Sequence, residues 1–225
     1  MSFFLCIIGA SMDRQLSFAD QWVTAFDVAL RSICIPENRQ AKRDNPAVGI
    51  ADLEMSQKEK RHVAGLMRVN HAGEVCAQAL YQGQALTTQT LAVQDKMNAA
   101  ALEEIDHLAW CEERLKELDS APSILNPLWY VGSFMIGLLA GYVGDQWSLG
   151  FVAETEKQVT EHLKKHQNHL PPNDQKTHAI LSQMQLDETK HAEVAIRSGA
   201  AELPFVIKQG MRFVSKIMTK TSYYV

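Results

Sequence analysis

Two copies of one pattern constrain this chain more than any other feature. Glu104-Ile105-Asp106-His107 and Glu188-Thr189-Lys190-His191 each hold a Glu-x-x-His. On a helix this sets a carboxylate and an imidazole one turn apart on one face, within reach of one ion. Each copy follows another glutamate at a matching distance: Glu74 precedes Glu104 by thirty residues, and Glu156 precedes Glu188 by thirty-two. If each half is an antiparallel helix pair, it must turn near its midpoint, where Thr87-Thr88-Gln89-Thr90 and Pro171-Pro172-Asn173-Asp174 lie. Folding on those turns brings Glu74 to Glu104 and Glu156 to Glu188.

One glutamate from each of two helices, with a Glu-x-x-His from each of two others, is the inward ligand set of ferritin-like di-iron carboxylate bundles. The expected fold class is therefore all-α: a ferritin-like four-helix bundle, here with additional amphipathic membrane-contacting helices. Bridging carboxylates with one imidazole per metal suit iron or manganese better than zinc or copper. The expected metal ligands are Glu74, Glu104, His107, Glu156, Glu188 and His191. Glu154 lies on nearly the opposite face from Glu156, and Glu156 is preferred because it centres the turn on the proline pair. His71 shares a face with Glu74, but His107 and His191 already supply one imidazole per metal, so His71 is expected as a hydrogen-bonded neighbour. His162 is placed similarly, and Tyr81 is expected in the core. Asp187, one turn before His191, is expected to hold that imidazole's N–H, with Glu103 at the same offset from His107.

A length of 225 residues suits one domain, and 46% hydrophobic residues are ample for its core. A net charge of −4 gives no general attraction for nucleic acid. Cys6, Cys34, Cys76 and Cys111 show no Cys-x-x-Cys spacing and read as reduced thiols. Three parts are expected: an N-terminal segment at 1–55, a bundle at 56–198 that includes a hydrophobic crossover at 120–145, and a basic amphipathic helix at 199–225. In the first part, Met1–Ala10 is apolar but too short to span a bilayer, with Met12 as an alternative initiator. Phe18, Trp22, Phe26, Ala29, Leu30 and Ile33 then recur at helical spacing, as in a short helix packed on the bundle, before a charged connector at 37–49. Ser56-Gln57-Lys58-Glu59 is a capping box that opens the bundle.

No charged residue lies between Asp119 and Asp145. A membrane crossing here would put the two halves of the ligand set on opposite sides. The stretch is therefore expected to be a crossover half buried in protein and half laid into lipid, with Gly132, Gly137, Gly141 and Gly144 allowing close helix contact or a groove. A hydrophobic dimer interface is the competing expectation. In the last stretch Lys208, Arg212, Lys216 and Lys220 recur every fourth residue beside an apolar face, the pattern of a helix lying on an anionic membrane surface.

Arg68-Val69-Asn70-His71-Ala72-Gly73-Glu74, Glu104-Ile105-Asp106-His107, Glu154-Thr155-Glu156 with His162, and Asp187-Glu188-Thr189-Lys190-His191 resemble the demethoxyubiquinone hydroxylase family. These are membrane-associated di-iron monooxygenases of ubiquinone biosynthesis. The resemblance runs from about Lys58 to the C-terminus, and residues 1–55 match nothing assigned. It maps the family's ligands onto the same six residues. It implies two iron ions, O2 as co-substrate, NADH as a candidate reductant and a polyprenylated benzoquinol as substrate. It also implies a peripheral location at a membrane lipid surface, on the cytoplasmic face of a bacterial cell membrane, with a homo-oligomer or a ubiquinone-biosynthesis partner protein left open. The competing functions are a ferritin-like tRNA hydroxylase, an iron- or peroxide-handling bundle, and a non-enzymatic quinone-binding scaffold.

Overall fold

The computed structural model describes residues 18–33, 39–52 and 54–225, and all regular structure among them is helical. The helices are α1 (Phe18–Ile33), α2 (Gln57–Thr87), α3 (Leu91–Glu117), α4 (Asn126–Val143), α5 (Asp145–Gln167), α6 (Gln175–Arg197) and α7 (Phe205–Ser222). The expectation for Met1–Ala10, the thiols of Cys6 and Cys34, and the side chains of Phe18 and Trp22 lie outside the described residues.

Local chemistry fixes the helix ends where the sequence places them. At the start of α2, Ser56 Oγ accepts from the Glu59 N–H at 3.3 Å while Glu59 Oε2 accepts from the Ser56 N–H at 2.8 Å. Between α2 and α3, Asp145 accepts from Thr88 Oγ1, the Gln89 N–H and Thr90 Oγ1, pinning the first hairpin turn to the start of α5. After the proline pair, Asp174 caps α6 by accepting from the Thr177 N–H. Gly199, at φ +96°, ends that helix in a conformation that favours glycine.

The hairpins α2/α3 and α5/α6 pack together, α2 against α5 and α3 against α6, as a four-helix bundle. One end of its core joins Met67, Trp110, Leu115, Leu163, Ile180 and Met184 from all four helices. Arg114 is fully buried there. It donates to Asp174, the cap of α6, to Thr177 on α6 and to Asp52 ahead of α2, each at 2.9–3.0 Å for the closest contact, so its charge is paired rather than stranded.

The crossover α4 lies along the outside of α2. A Cβ on Gly137 would stand 2.2 Å from the Leu80 carbonyl oxygen, and one on Gly83 would stand 2.4 Å from that of Phe134. The helices can approach this closely only because both positions lack a side chain. Tyr130, Gly137, Ala140 and Gly141 are buried on this face, whereas Leu128, Val131, Met135, Leu139 and Tyr142 are exposed. No helix among the described residues is long and apolar enough to cross a membrane. On the outside of α2, Ala29 and Ile33 of α1 pack against the cluster of Val75, Ala79, Leu108 and Tyr130, leaving Val23 and Phe26 exposed.

Helix α7 covers the groove between α2 and α5. Its C-terminal end is anchored: Tyr223 Oη meets His62 Nδ1 at 2.7 Å, Arg68 donates to the Tyr223 carbonyl, and Trp129 of α4 donates to Ser222 Oγ.

Candidate metal centre

Each bundle helix turns acidic or imidazole side chains into the middle of the core. Glu74 comes from α2, Glu104 and His107 from α3, Glu156 from α5, and Glu188 and His191 from α6, and all six are buried. They form two quartets whose ligand atoms lie within 4.8 Å of one another: Glu74, Glu104, His107 and Glu188, and Glu104, Glu156, Glu188 and His191. Glu104 and Glu188 belong to both. The six residues singled out in the sequence therefore meet, with the two Glu-x-x-His glutamates between the imidazoles.

Glu154 is placed elsewhere. It accepts from Gln158 at 2.7 Å and faces Lys208 of α7 at 3.9 Å. His71 also stays outside the quartets, with Nε2 donating to Glu112 and Nδ1 accepting from Asn126, each at 3.1 Å. Tyr81 lies in the core with Leu149 and Val152. His162 lines a neighbouring cavity and meets His166 edge to face, and among the described residues it belongs to neither quartet. Glu112 is half buried, because Arg39 and His71 both reach it.

The carboxylates behind the imidazoles correct one expectation. Nδ1 of His107 faces the cluster, 3.0 Å from Glu104 Oε2, while Nε2 donates to Asp187 Oδ2 at 3.1 Å. Nδ1 of His191 meets Glu188 Oε2 at 3.1 Å, and its Nε2 donates to Glu103 Oε2 at 3.1 Å. Asp187 thus holds the imidazole of α3, and Glu103 that of α6, the reverse of the pairing within one helix. The reason is directional: with Nδ1 turned to the glutamate one turn earlier, Nε2 points across the helix interface, beyond a carboxylate on the same helix.

Sequence reasoning missed the next layer. Asp106 accepts from the Lys42 N–H and from Arg43 Nε, and Arg43 Nη1 also donates to Asp187. Asp106 beside His107 is a signal that could have been weighed. Arg43 sits in a charged connector without periodicity and offers none.

The electrostatics suit a cationic occupant. Both oxygens of Glu156 and Oε1 of Glu104 are buried without a hydrogen-bond partner, a costly state for an anion unless protons or cations compensate. Burial and the nearby Glu188 carboxylate push the Glu104 and Glu156 carboxyls well above their ordinary range. Burial works against the Glu188 carboxylate too, yet hydrogen bonds from His107 and His191 hold it below that range. Burial also disfavours charge on His107, but its bonds to Asp187, Glu104, Glu188 and Glu74 raise it well above an ordinary imidazole. Groups shifted in this way favour their protonated forms, and a bound cation would compete with those protons. Four buried carboxylates with two imidazoles, oxygen-rich and compact, fit a pair of iron or manganese ions.

Beside Glu74 opens a mostly apolar cavity of about 460 Å³ between α2, α4, α5 and α7. Gly132 and Ile136 of α4 and Val214 and Met218 of α7 are among the residues that line it. Ile136 and Val214 are also 39% and 51% exposed, so the cavity reaches the apolar surface made by these two helices.

The comparisons agree with this architecture. Residues 53–222 match the model of the family described as "Ubiquinone biosynthesis protein COQ7". Proteins named 3-demethoxyubiquinol 3-hydroxylase from Legionella pneumophila (strain Paris), Chromohalobacter salexigens and Acinetobacter baylyi are 58%, 54% and 53% identical over 212 residues. The match covers 94% of this chain and 99–100% of theirs. It therefore extends well into residues 1–55, which the resemblance read from motifs had left unassigned. Among solved structures, the thioferritin of Bacteroides fragilis superposes with a TM-score of 0.51 at 18% identity, covering 64% of this chain and 85% of that one, which supports the ferritin-like fold. With a family match running through all four ligand-bearing helices, the chain belongs to the COQ7 family of ubiquinone biosynthesis proteins.

Proposed function

We infer that this protein is a di-iron monooxygenase that hydroxylates the ring of a polyprenylated demethoxybenzoquinol. The observation that carries this reading is the contact between the carboxylate cluster and the apolar cavity: Glu74 belongs to both. Two iron ions bound by Glu74, Glu104, His107, Glu156, Glu188 and His191 would supply reduction of O2, one oxygen atom going to the ring and the other leaving as water. The electrons come from a two-electron donor of the NADH class. Glu104 and Glu188, common to both quartets, would contribute to holding both ions, while Glu74 with His107 and Glu156 with His191 would complete the two ends.

The protein's own part is placement and exclusion of water. The cavity walls of α2, α4, α5 and α7 take the ring, and the few polar groups there, among them Asn70, Thr155 and His162, orient it beside Glu74. The tail leaves between α4 and α7 into lipid, against which the exposed apolar residues of these helices rest. Extracting that tail into water would cost about 0.8 kcal/mol per methylene. Lys216 and Lys220 face the anionic headgroups of that membrane.

A single turnover tests the reading. Iron-loaded protein, chemically reduced under anaerobic conditions, is mixed with a short-tailed demethoxybenzoquinol and O2, and the product's mass is read. A gain of one oxygen atom, absent in Glu188→Ala, is the expected result. Iron oxidation with an unmodified quinone would assign the protein to an oxidase or storage role.

A further inference from the structure

The two ends of the metal cluster are built differently, and the difference lies in the connector ahead of α2. Arg43 reaches from it to two bundle helices at once, donating through Nε to Asp106 Oδ2 of α3 at 2.8 Å and through Nη1 to Asp187 Oδ2 of α6 at 2.7 Å. The Lys42 N–H donates to the other oxygen of Asp106 at 2.6 Å. The guanidinium stacks 4.9 Å above the Trp110 ring, which lies 5.3 Å from the imidazole of His107.

Asp187 is thereby fully committed. Oδ2 accepts from both Arg43 and His107 Nε2, and Oδ1 accepts from Gln183. Three donors from three segments leave the carboxylate no freedom to rotate away from the imidazole. Its side chain is 6% exposed. At the other end, the carboxylate behind His191 is that of Glu103, a longer side chain that is 44% exposed. A ligand histidine depends on such a partner for its tautomer and orientation. The end whose partner is locked should hold its metal more firmly.

We infer that Arg43 is a positioning residue of the metal centre: by fixing Asp187 on the outer nitrogen of His107 it makes the Glu74/His107 position the slower of the two to release its ion. This rests on the metal reading above. Without the guanidinium, the carboxylates of Asp106 and Asp187 would face each other with no cation between them, and Asp187 would turn away from His107.

The test uses the full chain loaded with cobalt(II) alone, diluted into excess chelator, with release followed by cobalt absorbance. Wild type should release two ions per chain in two phases. Arg43→Gln should speed the slow phase about tenfold, at the low end of what loss of such a partner costs, and leave the fast phase unchanged. Asp187→Asn should give a similar acceleration, and the double variant should add little to either. Arg43→Lys, which keeps the charge without the planar fork, should fall between. Wild-type release rates for both ions in Arg43→Gln would overturn the inference while leaving the metal reading intact. So would equal acceleration of both phases alongside a lower unfolding temperature of the metal-free protein, since that marks a purely structural strap. Failure of wild type to bind two ions would overturn the metal reading itself, and this inference with it.

Discussion

The imidazole of His107 on α3 is held from behind by Asp187 on α6, with Nε2 3.1 Å from Oδ2, so the hairpins are tied together by a hydrogen bond at the edge of the carboxylate–imidazole cluster rather than merely packed around it. Glu103 and His191 repeat the link in the opposite sense. Asp187→Asn removes the anionic acceptor at nearly constant volume and frees the imidazole to change tautomer. Affinity for one of the two metals should fall about 10- to 100-fold, with the second site less affected, as read by competition titration with a chelator of known affinity.

The sharing of Glu104 and Glu188 between both quartets predicts unequal effects from chemically identical substitutions. Glu188→Gln removes a charged ligand from both positions, so iron bound per chain should drop from two to one or none, with hydroxylation lost. Glu74→Gln affects only the quartet containing His107 and should leave one iron bound at the other quartet. Metal analysis after gel filtration distinguishes the two cases.

His166 predicts an acid limb that is independent of the metal. Burial, with His162 and Lys165 on its own helix, His169 just beyond it and His62 on α2 nearby, lowers its pKa to about 3. Its Nδ1 lies 2.7 Å from Asn70 Oδ1. Its folded value lies below the ordinary 6.5, so its contribution to stability is complete above pH 6.5 and is lost as pH falls from 6.5 toward 3. His166→Gln cannot titrate, so the wild type should lose stability more steeply over that window, by roughly 1 kcal/mol per pH unit. Chemical denaturation of both proteins at several pH values, in chelator, measures the difference.

The helix boundaries and the six inward residues were legible because they rest on periodicity and short-range caps, which a chain carries locally. Glu74, Glu104, His107, Glu156, Glu188 and His191 each face inward by the same 3.6-residue logic that places Leu115 or Ile180 in the core. What lay beyond reach depends on another helix. Asp187 and His191 share a face, yet the hydrogen bond goes to His107, because the choice is made by the direction of a ring nitrogen across the interface. Arg43 was invisible because a connector has no period to read. The glycines of α4 were grouped together, although Gly132 and Gly137 lie about 140° apart around the helix. Only the position of α2 decides which of them is packed.

Gly137 is the packed one. An alanine there would set its Cβ against the backbone of Leu80, which cannot swing aside. The intrinsic gain in helix propensity of roughly 1 kcal/mol is then outweighed by forcing α2 and α4 apart, typically about 1–3 kcal/mol for overpacking. Gly137→Ala should unfold a few degrees lower than wild type in a thermal melt. An unchanged or higher midpoint would mean that the two helices separate without cost.

Gly132 faces the cavity, and a Cβ there would meet nothing within 4 Å. Gly132→Phe should therefore be accommodated without strain on α2, and the melting temperature and bound iron should stay at wild-type values. Its ring would occupy the space between α4 and α7 in which the substrate is proposed to lie. Hydroxylation of a quinol carrying an isoprenoid tail should show a KM raised at least tenfold, whereas iron oxidation by O2 in the absence of quinol should be unchanged. A large loss of the quinol-independent oxidation would place the damage at the metal cluster, and an unaltered KM would place the substrate somewhere other than this cavity.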